Sequence, residues 1–169
     1  MTPGQGSQTS GMYSNWITDT ANKELIAKYS ELIELDLLHY GTSASQPEIT
    51  ATNIAQPLLT ALAFMSFGKL EVNSNTNIIY SGHSVGEFSA ASLAGFYSDE
   101  TAMKLVTIRG KAMAEAAASN SATGMSAVLG GDKSEVIKHI EQFDLVPDGH
   151  HINHHLPKRP CGDVRCGIK

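Results

Sequence analysis

The stretch GHSVGEFSAASLAGF, residues 82–96, holds a serine between two glycines, where two segments of different character meet. Before it, NIIYSG (77–82) is a short apolar run closing on a turn, which predicts a buried strand. After it, small residues from Val85 to Ala94 predict a helix that Gly95 stops. Gly82-His83-Ser84-Val85-Gly86 fits G-x-S-x-G, in which the flanking glycines let the chain reverse tightly from strand to helix. The serine is then held in a strained backbone conformation, with its hydroxyl presented at a helix N-terminus. The Val85 N–H can face an oxyanion. An ordinary strand–turn–helix with a capping serine would use similar residues. The small side chains of Ser89, Ala90, Ala91 and Ser92 favour the catalytic turn, because they let the helix approach a sheet closely.

Outward from this turn the chain alternates. The first fifteen residues, rich in Gly, Ser and Gln, predict a loop. Leu25, Ile26, Tyr29, Leu32, Ile33 and Leu37 recur at helical spacing and predict a helix over 22–38. A second helix is predicted over 52–67, with Pro57 near its first turn and Gly68 at its end. Asp99 is the expected cap of a helix running to about Ala118. GMSAVLGG (124–131) predicts a strand, and KSEVIKHIEQF (133–143) a helix with Val136, Ile137 and Ile140 on one face. This order indicates an α/β fold. After Val146 periodicity ends, and 147–169 is expected to be an irregular tail.

Composition narrows the function classes. The 169 residues fit one ordinary domain. A net charge of −5 argues against a general nucleic-acid surface. No apolar run approaches the roughly 20 residues that span a bilayer, and MTPGQGSQTSGMY has neither the basic nor the apolar region of a secretory signal. Cys161 and Cys166 do not form a disulfide framework, so a reducing, cytoplasmic setting is expected. His150, His151, His154 and His155 with the two cysteines offer zinc-ligand types, but their spacing matches no standard site and no metal is expected.

GHSVGEFSAASLAGF resembles the active-site segment of the malonyl-CoA:acyl-carrier-protein transacylase family and of the acyltransferase domains of polyketide and fatty-acid synthases. Four more segments resemble that family in order: PGQGSQTSGM (3–12), ATNIAQPLLTA (51–61), VTIRGKAM (106–113) and GMSAVLGG (124–131). The resemblance covers Pro3 to about Val146. It implies a partial α/β-hydrolase-like acyltransferase core over 1–123, the start of a ferredoxin-like small subdomain over 124–146, and an unrelated tail over 147–169. It implies that Ser84 is the acylated nucleophile and that the backbone N–H groups of Gln5 and Val85 form the oxyanion hole. Arg109 then grips the free carboxylate of malonyl, and Gln56 lies beside the substrate. The implied partners are malonyl-CoA and acyl carrier protein in fatty-acid biosynthesis, with no nucleic acid and no membrane. No cofactor is implied beyond the coenzyme A of the substrate.

Chemistry supports the Arg109 assignment separately. Malonyl-CoA has a thioester at one end and a carboxylate at the other, and a planar, permanently charged fork suits the carboxylate. Arg109 is the only arginine before the tail. A surface arginine or a structural ion pair is the plainer alternative on composition alone.

The family's general base is a histidine in an S-x-x-F-H-S type segment, and this chain has no such segment. His83 is expected to support the turn, and His39 and His139 to lie on the surface. The apolar strand that precedes PGQGSQ in the family is also missing. The sequence therefore resembles the N-terminal half of the family with an unrelated end. Two other functions follow if the transferase assignment fails: an impaired fragment without the base, or a general serine hydrolase. Arg109 and Gln5 separate the transferase from the hydrolase, since a plain esterase has no use for a carboxylate clamp.

Overall fold

The computed structural model describes residues 1–71, 77–119 and 131–142. The chain divides into two compact units, Met1–Ser121 and Ala122–Lys169. Among the described residues, six helices lie in the first unit and one in the second.

The first unit is built around α4 (Thr52–Phe67), which is buried on almost every side: Ile54, Gln56, Leu58, Leu59, Thr60 and Met65 are all shielded from solvent. A helix apolar all round must sit inside its domain. Around it pack α1 (Thr20–Ile33), the short α2 (Leu37–Thr42) and α3 (Gln46–Thr50), the elbow helix α5 (Gly86–Leu93) and the long α6 (Asp99–Ser119). Tyr13, Ile26, Tyr29, Leu37, Ile49, Leu58 and Met103 form the main core. The Tyr13 hydroxyl donates to the Leu58 carbonyl at 2.8 Å, and burial pushes its phenol well above its ordinary pKa.

Several sequence expectations are corrected. The helix predicted over 22–38 ends at Ile33. Glu34 adopts φ 55°, and its N–H and that of Leu35 fold back onto the carbonyls of Glu31 and Ser30. Such a left-handed closure is normally signalled by glycine, so a glutamate hid it. Pro57 is the sixth residue of α4 rather than a first-turn residue. Its missing N–H leaves the Asn53 carbonyl without the usual helical donor. The cap of α6 is Ser98, whose Oγ accepts from the Thr101 N–H at 3.2 Å. Asp99 instead accepts from the Tyr29 hydroxyl at 2.5 Å. Beside it Lys28 pairs with Glu100, tying α1 to α6.

The segment 77–82 is not a buried strand. Its residues run extended without a ladder, Ile79 is 89% exposed, and its one sheet contact is a parallel bridge from Gly82 to Thr2. A strand is defined by its neighbours, and among the described residues only Thr2 takes that place. The strand predicted over 124–131 lies outside the described residues except for Gly131. The helix predicted next to it is present as α7 (Lys133–Glu141), with Asp132 Oδ1 accepting from the Ser134 N–H at 2.9 Å. Val136, Ile137 and Ile140 are its half-buried residues. No helix among the described residues is long and apolar enough to cross a membrane.

Candidate active site

The turn at Ser84 is a strained point of the first unit. Ser84 adopts φ 53°, a left-handed conformation that costs a non-glycine residue about 1–3 kcal/mol. The surroundings impose it. A Cβ at Gly82 would lie 2.2 Å from the Gly86 carbonyl carbon, and one at Gly86 would lie 2.3 Å from the Thr2 carbonyl oxygen. Only glycine lets these backbones approach so closely. Thr2 binds the turn on three sides. Its N–H donates to Ser81 at 2.9 Å, its carbonyl accepts from His83 at 3.1 Å, and its hydroxyl donates to the Gly86 carbonyl at 2.5 Å. Beneath the turn, Val85 packs against Leu59 of α4 and Val106 of α6. The helix that follows ends as predicted at Gly95, where the Gly95 and Phe96 N–H groups return to Ser92 and Ala91.

The same packing delivers the arginine. Gly110 is the close-approach point of α6 on α4: a Cβ there would lie 3.1 Å from both the Asn53 Cα and the Thr52 carbonyl oxygen. The neighbouring Arg109 therefore reaches across α4. Its Nη1 donates to Gln56 Oε1 at 2.7 Å, and its Nη2 donates to Ser84 Oγ at 3.2 Å. The guanidinium carbon sits 5.9 Å from the centre of the Phe88 ring, within range of a cation–π contact. Gln56 is fully buried, whereas Ser84 and Arg109 are partly open. A charged fork at the rim with its orienting partner buried suits an anion arriving from solvent.

Three of the five sequence-predicted residues, Ser84, Arg109 and Gln56, thus share one hydrogen-bonded cluster. Val85 is the N-cap of the elbow helix, with its side chain in the core. Gln5 is exposed, and its side-chain Nε2 donates to Thr52 Oγ1 at 3.1 Å, fastening the N-terminal loop to the start of α4. The loop is braced further along, where the buried Gln8 accepts from the Gly6 N–H at 2.8 Å. No backbone carbonyl among the described residues accepts from the Gln5 or Val85 N–H. His83, His39 and His139 are exposed. The tail histidines and cysteines lie outside the described residues.

Three contributors went unread in the sequence. Thr2 gives no motif signal, since its role comes from a long-range bridge. Phe88 meets the Arg109 guanidinium and Met113 meets the Gln56 amide, so both roles come from contacts between elements rather than from spacing along one helix.

Comparison with known proteins gives the family. The family described as Acyl transferase domain matches residues 1–154. The malonyl CoA-acyl carrier protein transacylase of Mycobacterium tuberculosis is 45% identical over 150 residues, covering 87% of this chain and 49% of that relative. The Escherichia coli protein of the same name is 32% identical over 142 residues, covering 83% and 46%. The crystal structure of MCAT from Mycobacterium tuberculosis superposes with a TM-score of 0.79 at 46% identity, covering 86% of this chain and 49% of that one. A structure described as a type II PKS acyl-carrier protein in complex with its malonyl-transacylase matches with a TM-score of 0.65 at 26% identity, covering 83% and 46%. The chain spans about half the length of the curated relatives it matches. With a family match over residues 1–154, the chain belongs to the acyl transferase domain family.

Proposed function

We propose that this chain carries the acyl-loading part of an acyltransferase that moves malonyl from coenzyme A to acyl carrier protein in fatty-acid biosynthesis. The observation that carries the proposal is the position of Arg109, which donates to both the elbow serine and a buried glutamine. The carboxylate of a malonyl ester lies only one methylene from the ester carbonyl. A guanidinium already within hydrogen-bond distance of Ser84 Oγ is within reach of it. Relatives that are 45% and 32% identical and named malonyl CoA-acyl carrier protein transacylase support the same substrate.

In the proposed reaction Ser84 Oγ attacks the thioester carbonyl. The carbonyl oxygen gathers negative charge, which the N–H groups of Val85 and Gln5 offset. The C–S bond breaks, and the departing thiolate leaves as the free thiol with the proton that Ser84 gave up. The malonyl ester then passes to the phosphopantetheine thiol of the carrier, completing a ping-pong cycle. Coenzyme A enters only as part of the substrate, with no resident cofactor. In fold, we assign 1–123 to part of an α/β-hydrolase-like acyltransferase core, 124–146 to the start of a ferredoxin-like subdomain, and 147–169 to a separate tail. The setting is cytoplasmic.

Transfer separates this function from that of a serine hydrolase. After loading with malonyl-CoA, addition of a phosphopantetheine-bearing carrier protein should move the malonyl group to the carrier. Release of malonate at one rate with and without carrier would contradict a transferase.

A further inference from the structure

Gln56 sits at 0% exposure with a carboxamide whose two ends have different partners. Its Oε1 accepts from Arg109 Nη1 at 2.7 Å, and its Nε2 donates to Met113 Sδ at 3.3 Å. Arginine carries only donors, so it demands the oxygen end of the amide. The nitrogen end then needs an acceptor, and the thioether of Met113 is the atom placed to serve. With a donor on one side and an acceptor on the other, only one orientation of the amide satisfies both. Met113 stands four residues after Arg109, one turn further along α6. One helix therefore supplies both groups that hold the amide of α4.

We infer that Met113 is a positioning residue for carboxylate recognition: its sulfur fixes the Gln56 amide, and the amide fixes the Arg109 fork. The inference rests on the proposed role of Arg109 as the grip on the acyl carboxylate. Without the sulfur, the buried Nε2 loses its acceptor, and the Arg109 contact alone is left to hold the amide in place. Arg109 would then lose a fixed partner, and the site its preference for an acyl group ending in a carboxylate. An apolar side chain of similar size fills the same space but supplies no acceptor.

Binding of malonyl-CoA and acetyl-CoA tests this by calorimetric titration of the full chain, in a Ser84→Ala background so that no acyl transfer intervenes. Met113→Leu should weaken malonyl-CoA binding about fivefold and leave acetyl-CoA binding unchanged, as loss of one net hydrogen bond predicts. Met113→Gln, of similar length and with an amide oxygen to accept from Gln56, should restore most of the loss. Met113 is 38% exposed and leucine is a good helix former, so the variant retains the fold. Equal weakening for both ligands, no weakening, or no rescue by glutamine would make Met113 a packing residue and overturn the inference. Arg109→Ala, titrated alongside, separates the two failures. If it selectively weakens malonyl-CoA while Met113→Leu does not, only the Met113 assignment falls. If it affects both ligands alike, the carboxylate role of Arg109 falls as well.

Discussion

Under the proposed function, Arg109 would distinguish two acyl groups that differ only by a carboxylate. A charge-assisted hydrogen bond contributes about 1.5–3 kcal/mol, so a bidentate grip separates malonyl from acetyl by about tenfold or more. Arg109→Ala should therefore erase most of the malonyl preference in acyl-loading rates measured with the two labelled coenzyme A esters. Arg109→Lys should recover only part of it, since an ammonium lacks the fork. Equal losses on both esters would make the arginine structural. Ser84, Arg109 and Gln56 were legible from motifs, because each sits in a short local pattern. Met113 and Phe88 were not, because their roles appear only once packing sets Met113 against Gln56 and Phe88 against Arg109.

The elements hold the site through backbone contacts that leave no room for side chains. At Gly86 an added methyl would lie 2.3 Å from the Thr2 carbonyl and 2.6 Å from that of Pro3, so the N-terminal segment and the elbow must part. Gly86→Ala should release the three Thr2 hydrogen bonds and lower acyl loading at Ser84 by at least about tenfold. Far-UV circular dichroism should show the helices retained, since α1, α4 and α6 also pack against one another. Full loading in that variant would show that the Thr2 bridge does not shape the turn. Most helices followed from apolar spacing and end signals, and α4, α5 and α7 lie close to their predicted spans. The end of α1 escaped because Glu34 closes it where a glycine is normally found. The extended 77–82 was legible as an apolar run but not as an exposed one, because exposure depends on which strands lie beside it.

At the scale of the molecule, the first unit leaves large apolar side chains in water. Ile79 is 89%, Phe96 82% and Leu70 63% exposed, and Phe96 lines an open cavity of about 270 Å³ with Tyr80, Ala90, Ala91 and Ala94. Apolar surface left in water contributes nothing to stability. Urea unfolding of the isolated chain should accordingly show a broad transition with a low midpoint. A sharp two-state transition with a slope normal for its length would contradict this. The central claim is that Ser84 accepts the malonyl group, and covalent labelling tests it most directly. The chain is incubated with malonyl-CoA labelled in the malonyl group, denatured, and mapped by peptide. The expected result is label on the peptide containing Ser84, and none on the Ser84→Ala variant treated in parallel. Label retained by Ser84→Ala, or no label on the unaltered chain after prolonged incubation, would contradict the account.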